Sequence, residues 1–325
     1  MGKSRRGGYI GKVPGAWTDP NTDEFYNVVA RPGCWDSVQQ EERVEQGSND
    51  WPKRFDKRGV CSYLCVAGGG GGGYSPGGSY PGGGGGGAGG VQTAINASVA
   101  NGTYTVTIGA GGASTTKGSN SVFGPYTAEG GGNGGNGTGG VGGNGGSGGG
   151  GGGYGGTSGG DGIVGQGNDG GDAVRNYDAA GGGGYSARGQ DGARSTLGEN
   201  GNGGAGYTTT FSGSSGSYAG GGGGGVYNSG PAGNGGTGGG GAGGASGGAG
   251  SAGSTNTGGG GGGAGKSYGN GAAGGSGVII LRHFSERTAS FSAGVTVSTD
   301  TTTVPGQTIH TITATSTGSE TVTFS

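Results

Sequence analysis

Five runs of six consecutive glycines constrain what this chain can fold into. They all lie between Ala67 and Gly277, a segment that we call the slab: residues 68–73, 82–87, 148–153, 220–225 and 258–263. Glycine accounts for 105 of the 325 residues, far above the usual share of about 7%. Such a segment cannot build a core from side chains, and each glycine loses more backbone freedom on folding than any other residue.

The residues between the runs recur at intervals of three. Thr138, Val141, Asn144 and Ser147 show this spacing, and Ala242 and Ala245 repeat it. A polyproline-II-type helix has three residues per turn, so every third side chain projects along one edge. The other two edges are then bare backbone, which lets neighbouring helices approach and form hydrogen bonds sideways. The spacing therefore predicts packed helices of the polyglycine-II type.

This interpretation predicts that the all-glycine runs are surrounded by other helices and that the spaced side chains mark outer helices. A six-residue run would span about 19 Å, at about 3.1 Å per residue. Composition alone also fits a flexible linker. Collagen is excluded, because the three-residue register is not continuous and the chain has only nine prolines.

Three segments resemble conventional strands. Val60 to Ala67 places Cys61, Tyr63 and Cys65 on one face, and Val60, Leu64 and Val66 on the other. Gly102 to Gly109 also alternates, and Val278 to Leu281 is a continuous apolar run that is typical of a strand buried on both faces. We expect one small sheet at the base of the slab. Cys61 and Cys65 are predicted to be buried apolar residues.

The distribution of charge and of residue types divides the chain into three parts. Residues 1–66 carry ten Lys or Arg and nine Asp or Glu, more than half of all the charges. We predict a charged arm at 1–58, a polyglycine-II domain with framing strands at 59–284, and a short β element at 285–325, which is rich in Thr, Ser and Val. The predicted fold class is mostly β and irregular, with the slab standing on a small β-sheet.

The N-terminal part contains all three tryptophans, Trp17, Trp35 and Trp51. Large aromatic side chains without an evident core predict an arm that anchors the chain to another protein; a small local subdomain is the alternative. A short helix is expected only at residues 37–46. The first residues lack the apolar segment of a secretion signal, so assembly in a cytoplasm is expected.

The sequence gives little support for a catalytic site, a cofactor site or a metal site. Residues 260–267 match the phosphate-loop pattern G-x-x-x-x-G-K-[ST], but no strand precedes this segment and no helix follows it, as that site requires. Two histidines and scattered aspartates predict neither a catalytic site nor a metal site. The net charge of −2 gives no basic field for nucleic acid, and no apolar run is long enough to span a membrane.

Aromatic and arginine side chains stand at the joints between glycine runs. Tyr and Arg on exposed tips suit recognition of carbohydrate or protein; alternatively, the tyrosines only cover bare backbone. The candidate receptor contacts share this position at joints, and they are Tyr74, Tyr80, Tyr177, Tyr185, Arg188, Arg194, Tyr207, Phe211, Tyr218 and Tyr227.

An ordered series of motifs resembles the glycine-rich proteins of tailed bacteriophages. It consists of a strand that runs into glycines (Val60 to Gly73), the segment Gly102 to Gly112, Asn120 to Gly124, and the closing segment Gly274 to Arg282. The opening, Lys3 to Gly11, is similar to the start of structural proteins from phages of cyanobacteria. The resemblance covers residues 60–284 and implies a virion appendage, either a tail fibre or its adhesin tip.

In adhesins of this kind, polyglycine-II helices stack in layers and their connecting loops touch the host receptor. The resemblance therefore implies a virion protein whose loops contact a host carbohydrate or protein. Taken with the lack of catalytic motifs and with the aromatic arm, it leads to the hypothesis of a non-enzymatic protein that residues 1–58 anchor to other virion proteins. The charged arm and the C-terminal β element depart from the family. They leave open a capsid or neck decoration protein without a receptor. Whether the molecule acts alone or as a homo-oligomer is a separate open alternative.

Overall fold

The computed structural model describes residues 16–18, 25–27, 59–174, 177–192, 201–227, 230–267 and 269–325. The chain forms two compact units, Met1–Asp56 and Lys57–Ser325. In the first unit, strands β1 (Ala16–Thr18) and β2 (Phe25–Asn27) pair antiparallel, with Trp17 opposite Tyr26. Trp35, Trp51 and the predicted helix at 37–46 lie outside the described residues. The anchoring role of the arm stays a prediction.

The second unit contains two antiparallel sheets of five strands and a separate hairpin. The first sheet has the order β12-β13-β10-β3-β4, the second has the order β11-β14-β5-β6-β7, and the hairpin is β8-β9. The strands are β3 (Val60–Val66), β4 (Val91–Ser98), β5 (Gly102–Thr107), β6 (Ser121–Phe123), β7 (Tyr126–Ala128), β8 (Tyr207–Thr209), β9 (Gly216–Tyr218), β10 (Val278–Phe284), β11 (Ala289–Phe291), β12 (Val295–Asp300), β13 (Gln307–Thr315) and β14 (Thr321–Phe324).

The strand β3 and its neighbour β10 separate two hydrophobic clusters, as the alternation of their side chains predicts. Cys61, Tyr63 and Cys65 point into a cluster between the two sheets, which also contains Phe123 and Phe324. Leu64 and Val66 point into a second cluster on the opposite face of the first sheet. Every residue of β3 is buried. The two-faced burial predicted for the run from Val278 to Leu281 is likewise confirmed.

The expectation of one small sheet is wrong in its strand pairing. β5 does not join β3 and β10 but lies in the second sheet, between β14 and β6. The place beside β3 is taken by β4. Its apolar and polar residues alternate too weakly to predict a strand. Val106 of β5 is buried against the first sheet, so the two sheets pack face to face instead of forming one layer.

The C-terminal residues complete both sheets. β13 pairs with β10 along six residues, from Ile279 opposite Ile312 to Phe284 opposite Gln307. β14 pairs with β5 in the second sheet. Each of these two strands therefore occupies an inner position, because β12 and β11 continue the sheets beyond them. The segment is thus part of the framework that supports the slab.

The backbone hydrogen bonds of the run 68–73 follow a three-residue period. Its N–H groups donate in turn to three segments that run antiparallel to it, and residues three apart share a partner segment: Gly68 and Gly71 bond Ser119 and Thr116, Gly69 and Gly72 bond Gly275 and Ala272, and Gly70 and Gly73 bond Gly87 and Gly84. Its carbonyl groups accept from three parallel segments, at residues 131–134, 112–115 and 261–264. Six neighbours around a helix of three residues per turn are the packing that the spacing predicted.

The neighbours approach so closely that side chains are excluded. A Cβ atom added to any residue of this run would lie well under 3.0 Å from backbone atoms of an adjacent segment. Every glycine of the five runs is buried, which confirms their interior position. Val141 and Asn144 are exposed on an outer helix as predicted, and Thr138 is exposed in the turn before it, whereas Ser147 is fully buried just before the next run.

Polar side chains on the outer helices satisfy backbone groups that have no further helix beside them. The Asn144 carbonyl oxygen accepts from the Asp161 N–H at 2.8 Å, the Asp169 carboxylate accepts from Gly162, and the Asp172 carboxylate accepts from Gly159. These aspartates therefore close the edge of the lattice, in keeping with the rule that backbone donors find partners. The described residues contain no α-helix, and therefore no helix that could cross a membrane.

Candidate functional site

The slab has two ends that differ in what they expose. β3 runs directly into residues 68–73, so the turn that follows lies one run, about 19 Å, away from the sheets. The run 148–153 is antiparallel to residues 82–87, with Gly150 bonded to Gly85 and Gly153 to Gly82, so it also ends there. We call this the turn end, and we call the opposite end the sheet end.

Tyrosine rings meet on the turn end. The rings of Tyr80 and Tyr154 are 6.5 Å apart, and those of Tyr177 and Tyr227 are 4.5 Å apart. The Lys266 ammonium lies 3.9 Å from the centre of the Tyr227 ring. The two pairs are connected because the Tyr177 N–H donates to the carbonyl of Gly153, the residue before Tyr154. Tyr74 is half-buried, and its carbonyl accepts from Gly137.

Four other predicted contacts lie at the sheet end, where they support the fold. Phe211 is buried at 5% exposure in the second hydrophobic cluster, and Tyr185, Tyr207 and Tyr218 are half-buried against the same cluster. The rings of Tyr185 and Tyr207 pack edge to face at 5.0 Å. The hairpin β8–β9, which carries Tyr207, Phe211 and Tyr218, contributes to covering the outer face of the first sheet. The prediction that Phe211 is exposed for a receptor is wrong, because its ring fills this cluster.

Arg188 is held by two acidic partners. Its guanidinium donates to the Asp172 carboxylate at 2.8 Å and to the Asp191 carboxylate at 2.7 Å. All three side chains are exposed by more than 40%, so each ion pair contributes little, between about 0 and 1 kcal/mol. The geometry ties the segment of Arg188 and Asp191 to the neighbouring segment of Asp172. Arg194 lies outside the described residues.

Sequence reasoning missed Tyr154 and Lys266, although a signal for both is present. Four of the five six-glycine runs lead away from the sheets, and the first large polar side chains after them are Tyr74, Tyr154, Tyr227 and Lys266. The fifth run, residues 82–87, returns to the sheet end and continues with Ala88 and two further glycines. The residue that follows a run therefore reports the direction in which the run points.

The phosphate-loop match has neither of its structural requirements. Residues 258–263 form an interior helix of the slab, and residues 266–267 belong to a turn, with the Ser267 hydroxyl bonded to the Gly78 carbonyl. Within the described ranges, no group of three or more His, Cys, Asp or Glu side chains is arranged to hold a metal ion. Burial raises the pKa of the Cys61 and Cys65 thiols to about 12, so both are unreactive packing residues.

The two histidines form a buried pair between β10 and β13. Their Nε2 atoms are 3.0 Å apart, and His283 Nδ1 lies 2.9 Å from the Phe284 carbonyl. Because that carbonyl only accepts, His283 Nδ1 carries a proton and its Nε2 accepts from His310. The Thr299 hydroxyl, 2.9 Å from His310 Nδ1, then donates to it. Burial lowers the pKa of His310 to about 4 and also lowers that of His283, so both rings are neutral near pH 7.

A family model described as a glycine-rich domain matches residues 51–284. These residues include β3, the whole slab and β10.

The chain belongs to the glycine-rich domain family.

The matched region of this glycine-rich domain protein ends at β10, so β11 to β14, which complete both sheets, lie beyond it. The search of curated proteins found no match, and neither did the search of solved structures. The family supports the glycine-rich character inferred from the runs. What the molecule does has to be argued from its own site.

Proposed function

We propose that this protein is a non-enzymatic structural component of a tailed-bacteriophage virion, a tail fibre or tail-associated adhesin that displays its turn end to the host surface. The observation that carries the proposal is the gathering of exposed tyrosines there: Tyr80, Tyr154 and Tyr177 are 46%, 50% and 42% exposed. Large aromatic side chains left in water on a rigid support are typical of recognition surfaces. The motif series of residues 60–284 supports the choice of a phage.

The slab would act as an inert and rigid spacer. Its interior helices have their backbone groups paired to neighbours, and no side chain can enter between them. Such a body can hold the turns in fixed positions, so little conformational entropy is lost when a receptor binds. In this proposal, residues 1–58 attach the protein to other virion proteins, and the protein is assembled in the host cytoplasm.

The test is immunogold labelling of intact virions with an antibody raised against the full chain. We expect label at the tail fibres or the baseplate. Label over the head or neck would replace the adhesin with a decoration protein that has no receptor. Virions without label would contradict the proposal as a whole.

A further inference from the structure

The turn end combines exposed aromatic rings with little aliphatic surface. Besides Tyr80, Tyr154 and Tyr177, the only large hydrophobic side chain exposed on its described turns is Val174. A protein-binding surface usually centres on an apolar core that is desolvated on contact. Tyrosine rings carry a negative face and a polar hydroxyl. They suit the face of a sugar ring, where weakly positive C–H groups alternate with hydroxyls.

Lys266 adds a positive charge to this surface. It is the only Lys, Arg, Asp or Glu between Gly201 and Leu281. Its ammonium lies on the Tyr227 ring, and no ion pair joins it to another described residue. The Tyr227 ring also packs against Tyr177. One aromatic side chain therefore positions both a cation and an exposed ring.

Hydrogen bonds fix the turns that carry these side chains. The Ser267 N–H donates to Ser75 Oγ at 3.2 Å, and the Ser267 hydroxyl donates to the Gly78 carbonyl. The Ser75 hydroxyl in turn lies 3.4 Å from the Tyr80 carbonyl. The turn of Lys266 is thereby tied to the turn of Tyr80, and Tyr177 is tied to Gly153 beside Tyr154. These contacts link Tyr80, Tyr154, Tyr177, the half-buried Tyr227 and Lys266 in a closed circuit.

We propose that the turn end binds an acidic polysaccharide, with Lys266 contacting its carboxylate and with Tyr80, Tyr154 and Tyr177 stacking on its sugar rings. This inference rests on the proposed function and names the class of receptor. A lysine ammonium contributes a charge-assisted hydrogen bond to a carboxylate, and rings held at fixed separations select a chain of sugars over a single residue. A phosphate on the sugar would offer the same negative charge.

The experiment measures binding of the full chain to polygalacturonate and to neutral dextran by biolayer interferometry. Lys266→Gln and Tyr177→Ala test the site, and Lys117→Gln is the matched control, since Lys117 is an exposed lysine that pairs with Glu129. We expect Lys266→Gln and Tyr177→Ala each to raise the Kd for polygalacturonate about tenfold, with the Tm unchanged. Lys117→Gln should bind like the unaltered chain, dextran should bind far more weakly, and added salt should weaken polygalacturonate binding.

Equal affinities of Lys266→Gln and Lys117→Gln, or no binding of polygalacturonate, would overturn the carboxylate contact. A phosphorylated mannan that binds where polygalacturonate does not would reassign the charge to a phosphate. Competition with virion adsorption separates this inference from the proposed function. If the purified chain and its Lys266→Gln variant block adsorption equally well, the adhesin proposal stands and the acidic-sugar inference fails. If virion labelling lies away from the tail, the adhesin proposal fails whatever the polysaccharide result.

Discussion

At the scale of single residues, the glycines of the slab are required by space more than by backbone conformation. Apart from Gly258 at the start of its run, the glycines of the five runs do not have positive φ angles, which occur mostly at turns such as Gly77 and Gly78. What excludes a side chain is the neighbouring backbone, as at Gly71, where an added Cβ would lie well under 3.0 Å from the carbonyl of Ala113. The backbone of Gly71 is surrounded by three adjacent segments, so it cannot shift to make room for a side chain.

Replacing Gly71 with alanine should therefore disrupt the packing around the central run. Overpacking of a dense interior costs about 1–3 kcal/mol and occasionally more, and we expect a loss of at least about 3 kcal/mol because rigid backbone has to move. Thermal unfolding followed by circular dichroism would show it as a fall in Tm.

Gly318→Ala is the matched control. A Cβ at Gly318 meets nothing within 4 Å, and its φ is not in the left-handed region. Removing backbone freedom from the unfolded chain should leave stability unchanged or slightly raised. A Gly71→Ala variant that melts with the control would contradict the close-packed interior.

A second residue-scale prediction separates packing from recognition among the aromatic side chains. Phe211→Ala removes a buried ring and should lower the free energy of unfolding by about 3–5 kcal/mol. Tyr80→Ala removes a ring that is 46% exposed and should change it by less than about 0.5 kcal/mol. Chemical denaturation measures both. An unchanged stability for Phe211→Ala would return that residue to the receptor contacts.

At the scale of elements, the three strands β12, β13 and β10 are joined by a chain of hydrogen bonds that has one direction. It runs from the Thr299 hydroxyl through His310 and His283 to the Phe284 carbonyl. Protonating His283 would set its Nε2–H against the Nε2–H of His310, and a charge on either ring would be buried away from water. Phe291 and Phe324 pack against the same rings, so water has little access to relieve such a conflict.

The pair predicts a loss of stability in mild acid. The folded pKa of His310, about 4, lies below the ordinary value of 6.5, so the unfolded chain binds more protons between these values. Stability should be complete above pH 6.5 and fall by about 2–3 kcal/mol as the pH drops to 4. Denaturant titrations across this range measure the slope.

The double variant His283→Leu/His310→Leu serves as the control, because it keeps an apolar filling and removes both titrating groups. Its free energy of unfolding should depend much less on pH over the same interval. If both proteins show the same slope, other groups would be responsible for the acid sensitivity.

At the scale of the whole molecule, the slab depends on sheets whose strands come from both of its flanks. β3 precedes the slab, β10 follows it, and β13 and β14 come from the last residues of the chain. We expect residues 57–325 to fold without the N-terminal unit and residues 57–284 to fail, since the latter would expose Ile279, Leu281 and Val106. Size-exclusion chromatography and limited proteolysis distinguish the two. A folded, monomeric 57–284 fragment would contradict this dependence.

Sequence reasoning reached the type of slab and the faces of β3, and it did not reach the arrangement of the helices. The six neighbours of the run 68–73 come from segments up to about two hundred residues away. Because the edges of glycine helices are alike, no side-chain pattern encodes which run lies beside which. The same limit explains why ten candidate contacts looked equivalent, although Tyr80 and Tyr177 lie at the turn end and Phe211 is buried at the sheet end.

The sequence by itself determined that the slab has no side-chain core, that its helices repeat every three residues, and that Cys61, Tyr63 and Cys65 share one face. These properties follow from local chemistry, from the missing Cβ atoms and from the alternation along a strand. Only the tertiary structure decided the direction of each run, the pairing of β13 and β14 with distant strands, and the meeting of Tyr227, Tyr177 and Lys266. Those contacts depend on hydrogen bonds between bare backbones, which any glycine run can form with any other until the turns and sheets fix its place.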